Sequence, residues 1–397
     1  MRIENFNSIF GKISSAKVWE LKEKIERMKI NLGDIEEKFV KGGGKGGQKI
    51  NKTNNAVVLK YKPLAIVVRC QKDRSLSVNR FLALRELISK IEKVIFENVS
   101  VVKSQKKRGI YMEGKTLAEK INQDTKKMSE EFYNRTKRKP FIAIINYFED
   151  SPSSYYMNLK IKKCNTLGID TRVYMPEDKK DKKGFISLIK SLGNDRNVDA
   201  IMVEKPLPDG FDDVEFWDTL NPKKDVDALS SVNMGRLFIT RNFLEIEKEY
   251  FFVPQTAYAV IKLMKYHNIE ISGKKVVVCG RSSIVGKPVA HMLTLLDATV
   301  TICHSKTRNL TDYLKSADII VSAIGKARFI KADMVGEGQV IIDVGTNIDE
   351  NGKICGDVDF ENVKNKTSFI TPVPGGVGPV TLACLLNATV KAAQNLL

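Results

Sequence analysis

Residues Val276–Thr307 read VVVCGRSSIVGKPVAHMLTLLDATVTICHSKT. Val276 to Cys279 is a short apolar run, the pattern of a strand buried on both faces. Gly280 to Gly286 follows as a tight turn. Pro288 stands where a first helical turn tolerates a missing N–H, and Val289 to Leu296 continue as a helix. Ala298 to Ile302 is the next strand. The spacing predicts a strand-loop-helix-strand unit. Its glycine loop turns backbone amides and a helix N-terminus toward a phosphate.

The glycines are spaced G-x-x-x-x-x-G. That is neither the G-x-G-x-x-G fingerprint nor a P-loop. No acidic residue ends the second strand, where a ribose hydroxyl of NAD needs one. His304-Ser305-Lys306-Thr307 stands there instead, with Arg281 and Arg308 nearby. Donors and cations at this place suit a 2′-phosphate, hence NADP. Gly280, Arg281, Ser282, Val285, Gly286, His304, Ser305 and Thr307 are the first cofactor candidates. The apolar runs Asp318–Gly325 and Val340–Gly345 read as further strands ending in glycine. Gly325 and Gly345 therefore fall where a dinucleotide lies.

A chain of 397 residues has room for two or three domains with substantial cores. No apolar run approaches a membrane span, and the opening MRIENFNSIFGK lacks the apolar region of a secretory signal. The six cysteines form no C-x-x-C pair and there are three histidines, so neither a disulfide framework nor a metal site is indicated. A cytoplasmic protein without membrane or metal is expected. The net charge of +18 is uneven. Residues 1–108 hold 25 Lys/Arg and 11 Asp/Glu, a net of +14, which leaves +4 for 109–397. The first segment is a basic module whose field suits a polyanion, nucleic acid first.

Within that module, Val18–Met28 has helical spacing. Lys41-Gly42-Gly43-Gly44-Lys45-Gly46-Gly47-Gln48-Lys49 is too glycine-rich for helix or strand interior. Ala56–Tyr61 and Ile66–Cys70 read as strands, and Arg74-Ser75 opens a long helix. GGGKGGQKINKT followed by RSLSVNRFLALREL resembles the GGQ domain of peptide chain release factors over about residues 20–95, closest to small factors without a codon reader. The resemblance implies a ribosome or tRNA partner and peptidyl-tRNA ester hydrolysis. Gly46 and Gly47 leave amides free to stabilise an oxyanion, Gln48 places the water, and Lys41, Lys45, Lys49 and Lys52 meet RNA phosphate.

Val101–Gly109 is a polar basic join. Beyond it lie a helix from Thr116 to about Tyr133, a strand at Pro140–Ile145, a helix Ser154–Leu167 capped by Ser153, and strands at Thr171–Met175 and Val198–Glu204. Alternating strands and helices favour a parallel sheet. Tyr156 and Lys160 are i and i+4, so they share a helix face. Lys160, Glu204 and Asp227 can meet near strand ends.

Together with Pro206-Leu207-Pro208, Lys224-Asp225-Val226-Asp227, Asp343-Val344-Gly345, Gly356-Asp357-Val358 and Pro372–Pro379, these pieces resemble the bifunctional methylenetetrahydrofolate dehydrogenase/cyclohydrolase (FolD) family over 110–397. The resemblance implies oxidation of 5,10-methylenetetrahydrofolate with NADP, then hydrolysis to 10-formyltetrahydrofolate. By position Lys160 is the acid/base lysine, Tyr156 stacks on the folate, Asp227 holds the pterin, and Asp357 joins the cofactor residues. Pro374, Gly375, Gly376, Val377 and Gly378 let backbone approach the folate. A homodimer through the dehydrogenase part is implied too.

The family usually has glutamine where Glu204 stands. A carboxylate there favours the charged lysine, at the expense of the cyclohydrolase step. Ala228 stands where the family has glycine, and Pro254-Gln255-Thr256-Ala257 replaces a Pro-Cys-Thr-Pro run. The expected architecture is α/β: a small GGQ domain (1–108), a folate catalytic domain (109–250 plus 378–397) and a Rossmann-type NADP domain (251–377), with a cleft between the last two. The competing reading is a codon-independent ribosome rescue factor that carries an inactive FolD-like scaffold.

Overall fold

The computed structural model describes residues 9–10, 13–28, 30–40, 56–104, 109–147, 152–176, 178, 180–205, 207–208, 210–211, 214–248 and 251–395, without the side chains of 15, 27, 94–104 and 152–156. The chain divides into two compact units, Met1–Lys106 and Lys107–Leu397.

In the first unit, helix α1 (Ser15–Arg27) precedes the strands β1 (Ile35–Val40), β2 (Ala56–Tyr61) and β3 (Ile66–Cys70). They form an antiparallel sheet in that order. Helix α2 (Leu76–Ser104) closes the unit, running past the expected basic join at Val101. Alternation along β2 and β3 turns Val57, Leu59, Val68 and Cys70 inward. There they meet Leu21 and Ile25 of α1 and Leu84, Leu87, Ile88 and Ile91 of α2 in one core. Buried Asn79 pins the loop ahead of α2. Its Oδ1 accepts N–H bonds from Lys72 and Asp73 at 2.9 and 2.8 Å.

The second unit begins at β4 (Ile110–Tyr111), followed by α3 (Lys115–Thr136), β5 (Phe141–Ile145), α4 (Pro152–Thr166), β6 (Asp170–Tyr174), α5 (Lys182–Asn194) and β7 (Ala200–Val203). β5, β6 and β7 make a parallel sheet of order β6-β5-β7. Ser153 lies inside α4 rather than capping it, because Pro152 takes the helix start, where a missing N–H costs nothing. Helices α6 (Ser231–Ile239) and α7 (Gln255–Tyr266) lead to β8 (Lys275–Cys279), α8 (Gly286–Thr294), β9 (Thr299–Cys303), α9 (Leu310–Ser316), β10 (Ile319–Ser322) and β11 (Val340–Asp343). A hairpin of β12 (Asn347–Ile348) and β13 (Ile354–Cys355) precedes β14 (Phe369–Ile370).

The second sheet is six-stranded, of order β4-β14-β11-β10-β8-β9, with every pair parallel. Ile110 and Tyr111 thus extend this sheet and not the first one. Met112 just beyond them is fully buried in its core.

The last helix, α10, spans Val377–Asn395. Pro379 falls in its first turn, where no N–H is needed. Leu385, Leu386, Ala388 and Val390 of α10 join Ile142 and Ile144 of β5 in one core. Each such leucine contributes roughly 1.5–3 kcal/mol by leaving water. Asn387 Nδ2 also donates to Thr125 Oγ1 of α3 at 3.0 Å. This last helix therefore packs against the β6-β5-β7 sheet.

Candidate active site

Two of the candidate residues meet at the C-terminal ends of β5 and β7. Glu204 follows β7 directly, and its amide donates to Ile145 O at 2.9 Å. Lys160 reaches it from α4, and Nζ makes a direct ion pair with Glu204 Oε1. The two side chains are 19% and 11% exposed, so little water screens the pair. Tyr156 lies one turn earlier on α4; its side chain is outside the described residues.

Asp227 arrives by a different route. Ile201 of β7 bridges Asp225 in parallel, and its amide donates to Lys224 O at 2.8 Å. Asp227 lies two residues on, in the turn that follows that bridge. Its Oδ1 accepts the Gln255 N–H at 3.0 Å. Burial pushes its carboxyl up to about 6; the Gln255 N–H opposes that, and the charges of Asp225, Lys160 and Glu204 all act on it. The three candidate residues therefore share one electrostatic site.

The rest of the Lys224–Asp227 cluster is structural. Lys224 is buried and donates to the carbonyls of Leu192 and Asp195 at 3.3 and 2.6 Å, closing the end of α5. Asp225 takes N–H bonds from Leu229 and Ser230, the Ser230 hydroxyl, and Asn233 Nδ2. Ala228 is buried with φ of 53°. A left-handed alanine costs about 1–2 kcal/mol, and burying its methyl returns about 0.8 kcal/mol. That offset is why alanine is tolerable where glycine is usual.

Gln255 is a residue that sequence reading left without a role. Its Nε2 donates to Val226 O and Val253 O, both at 2.8 Å, while its amide holds Asp227. Only the fold brings position 255 to position 227.

The cofactor candidates line the C-terminal edge of the second sheet. Gly280 follows β8 with φ of 131°, and a Cβ there would lie 2.3 Å from Ala323 O. A Cβ on Gly286 would lie 2.2 Å from Gly280 O. Both glycines are thus demanded by backbone packed on backbone. Ser282 Oγ accepts the amides of Val285 and Gly286 at 3.2 and 3.3 Å, shaping the entry to α8. The register Cys279↔Cys303, and the Gly280 N–H donated to Cys303 O at 2.9 Å, bring Gly280 next to the turn that starts at His304. His304 N donates to Thr307 Oγ1 at 2.9 Å and Thr307 N returns to His304 O at 2.8 Å, which closes that turn. Arg281, Ser305, Lys306 and Arg308 remain exposed along this edge.

Gly325 follows β10 with φ of 73°. Asp357 has no exposed surface and accepts bonds from Ser322 Oγ, Asn347 Nδ2 and the amides of Ile324, Gly325 and Lys326. Gly345 is tight against that carboxylate, with an added Cβ only 2.2 Å away. Asp343 in turn accepts the amides of Gly345, Asp357 and Val358. Two buried carboxylates therefore hold the loops that carry Gly325 and Gly345.

After β14, Gly375 has φ of 109° and its carbonyl accepts the Gly114 N–H at 2.9 Å. A Cβ on Gly114 would sit 2.0 Å from Gly376 O. Pro374 to Gly376 form the turn, and Val377 and Gly378 are the first residues of α10. Gly378 faces open space.

In the first unit, Gly46, Gly47 and Gln48 lie in 41–55, outside the described residues. The base of that segment is described. Val40 of β1 pairs with Ala56 of β2. Arg80 of α2 grips Glu37 of β1 with two bonds, Nε at 2.7 and Nη2 at 2.5 Å, and its guanidinium lies over Phe39.

Three family models match the chain. Family models described as the catalytic domain and the NAD(P)-binding domain of tetrahydrofolate dehydrogenase/cyclohydrolase match residues 112–227 and 254–397. A model described as the RF-1 domain matches 23–139. Both the RF-1 and catalytic models cover 112–139. Packing assigns that stretch to the second unit, where α3 lies against α10.

The bifunctional protein FolD of Elusimicrobium minutum is 48% identical over 283 residues, 71% of this chain and 98% of the relative. The protein of the same name from Bacillus subtilis is 43% identical over 258 residues, 65% of this chain and 88% of the relative. The crystal structure of Campylobacter jejuni FolD is 39% identical, with a TM-score of 0.66 over 72% of this chain and 99% of that one. The Trypanosoma brucei enzyme, solved with NADP cofactor and inhibitor, is 32% identical with a TM-score of 0.66 over 72% and 98%. By these matches in sequence and in fold, the chain belongs to the FolD family of tetrahydrofolate dehydrogenase/cyclohydrolases, and carries an RF-1 domain ahead of it.

Proposed function

We infer that residues 109–397 oxidise 5,10-methylenetetrahydrofolate to the methenyl form with NADP and hydrolyse that product to 10-formyltetrahydrofolate. The observation that carries this reading is the meeting of Lys160, Glu204 and Asp227 in the same unit as the Gly280–Gly286 loop. The residues present fit NADP: two glycines keep the loop free of side chains, and Arg281 and Ser305 are exposed where a 2′-phosphate needs donors. NADP supplies the hydride acceptor.

The chain's own residues do the rest. Asp227 holds the pterin, and Tyr156 orients the folate from the helix that carries Lys160. The Lys160–Glu204 pair manages the proton that hydrolysis moves. Val226 and Val253 carbonyls fix Gln255, which fixes Asp227. Pro374–Gly378 offer backbone to the folate, and Val285, His304 and Thr307 shape the cofactor edge. Asp357 acts through the Ile324–Lys326 amides that it holds.

Residues 1–108 act on the ribosome as a codon-independent peptidyl-tRNA hydrolase module, with Gly46, Gly47 and Gln48 at the ester. The RF-1 match and the net of +14 support this. A domain division at 1–108, 109–250 plus 378–397, and 251–377 follows from the two functions. A cytoplasmic location suits both; among the described residues no helix is long and apolar enough to cross a membrane. Pairing of two copies through the dehydrogenase half is supported by exposed Val232, Phe238 and Ile239 on α6. An inactive scaffold is disfavoured, because Lys160, Asp227 and the glycine loop are all in place. Absorbance at the methenyl band, followed with purified protein, methylenetetrahydrofolate and NADP, tests the reading; no turnover refutes it.

A further inference from the structure

Gly114 is buried at the N-cap of α3, with φ of −85° and ψ of −11°. Those dihedrals are open to any residue, and an N-cap takes Ser, Thr, Asp or Asn at least as readily. Glycine is required here by its neighbours instead. A Cβ would run into Gly376 O, and would lie 2.8 Å from Val380 Cγ2, a side chain of α10 with no exposed surface. The Gly114 N–H meanwhile donates to Gly375 O at 2.9 Å. One carbonyl of the turn thus takes the amide, and the next fills the space of the missing side chain.

The segment that ends at Gly114 is fastened along its length. Gly109 N donates to Lys364 O at 3.1 Å, Ile110 N to Ser368 O at 2.9 Å and Met112 N to Ile370 O at 2.8 Å. Residues 109–114 therefore run beside β14 and finish against the turn that follows it. Within that turn Gly376 N donates to Pro372 O at 2.8 Å, and Gly375 is left-handed, with φ of 109°. Gly114 adds an anchor from outside the turn.

We propose that Gly114 is a positioning residue for the folate, which it serves by holding Gly375 and Gly376 where substrate meets backbone. The inference rests on the folate reading of Pro374–Gly378. Gly114 acts through the turn and not by touching substrate. A contact surface made of backbone is placed only as well as what packs behind it. Displacement of such a contact by about 1 Å can cost on the order of a hundredfold in rate.

The test uses the full chain, with steady-state kinetics of methenyl formation and the melting temperature followed together. Gly114→Ala should raise KM for methylenetetrahydrofolate by about tenfold and leave KM for NADP within about twofold, since only the folate contact moves. Gly109→Ala is the control. Its Cβ would lie 2.7 Å from Lys364 O and 2.8 Å from Thr367 O, so it strains the same segment at the end remote from the turn. It should lower the melting temperature and leave both KM values alone. An equal rise in folate KM from Gly109→Ala, or a Gly114→Ala variant that only melts earlier, overturns the proposal. Should Gly114→Ala fail to fold, the wild-type chain decides. Saturating tetrahydrofolate should slow hydrogen exchange at the Gly114 amide and not at the Ile110 amide; equal protection, or none, overturns the proposal. A wild-type chain that neither forms methenyl product nor binds tetrahydrofolate refutes the folate reading of the turn itself.

Discussion

Lys160 Nζ and Glu204 Oε1 meet in a direct ion pair, brought together from helix α4 and from the residue that follows strand β7. A carboxylate at this place changes what the lysine can do. An amide partner accepts one hydrogen bond; a carboxylate accepts it and adds the attraction of opposite charge.

Glu204→Gln should therefore raise cyclohydrolase activity relative to dehydrogenase activity by about tenfold, the rate equivalent of 1.4 kcal/mol. Both activities are followed on one preparation, methenyl formation with NADP and methenyl decay without it. A ratio that stays level or falls would show that the pair does not restrain the hydrolytic step.

Arg281 and Ser305 each stand two residues beyond the ends of the paired strands β8 and β9, at the edge where the second phosphate is expected. Arg281→Ala should raise KM for NADP by about tenfold, the loss of one charge-assisted contact. KM for NAD should hardly move. A wild-type enzyme that prefers NAD would remove the 2′-phosphate assignment while leaving the fold untouched.

Asp227 is pushed up to about 6 from an ordinary 3.8, chiefly by burial. Below about 6 it carries a proton, so KM for the folate should climb as pH falls through that value and stay flat above it. Asp227→Asn should raise KM at every pH and abolish the acid limb. The sign for stability is opposite. The unfolded chain releases this proton at lower pH than the folded one, so this group's contribution to stability declines as pH rises from about 4 to about 6. A limb that persists in the asparagine variant would assign it to another group.

Gly47→Ala adds a methyl where backbone must approach the ester and narrows the dihedrals open to the segment. Peptide release from stalled ribosomes should vanish, binding should be nearly retained, and dehydrogenase activity should be unchanged. The measurement is release of labelled peptide beside pelleting of the same ribosomes. Wild-type protein that binds but releases nothing would reduce this module to an RNA tether.

Period and punctuation in the chain were enough for the glycine loop, the alternation of strands and helices, and the basic character of residues 1–108. These depend on local spacing, on sites such as Gly280 and Gly286 whose close backbone packing admits only glycine, and on charge that needs no fold to be counted. Strand β4 was not legible as part of the second sheet, because two residues carry no period and their partners, Phe369 and Ile370, are remote in sequence.

The sequence by itself determined the chemistry available: a lysine, an acid where an amide is usual, a second acid, and a loop without side chains. Tertiary structure alone decided which of them work together. Asp225 and Asp227 are two residues apart and alike in type. Yet Leu229, Ser230 and Asn233 saturate the first with donors, while the second takes the Gln255 N–H and feels the charges of Lys160 and Glu204. Gln255 holds that second acid only because α7 begins against the same turn. Hydrogen-bond saturation and register are properties of the folded chain, and no local pattern encodes either one.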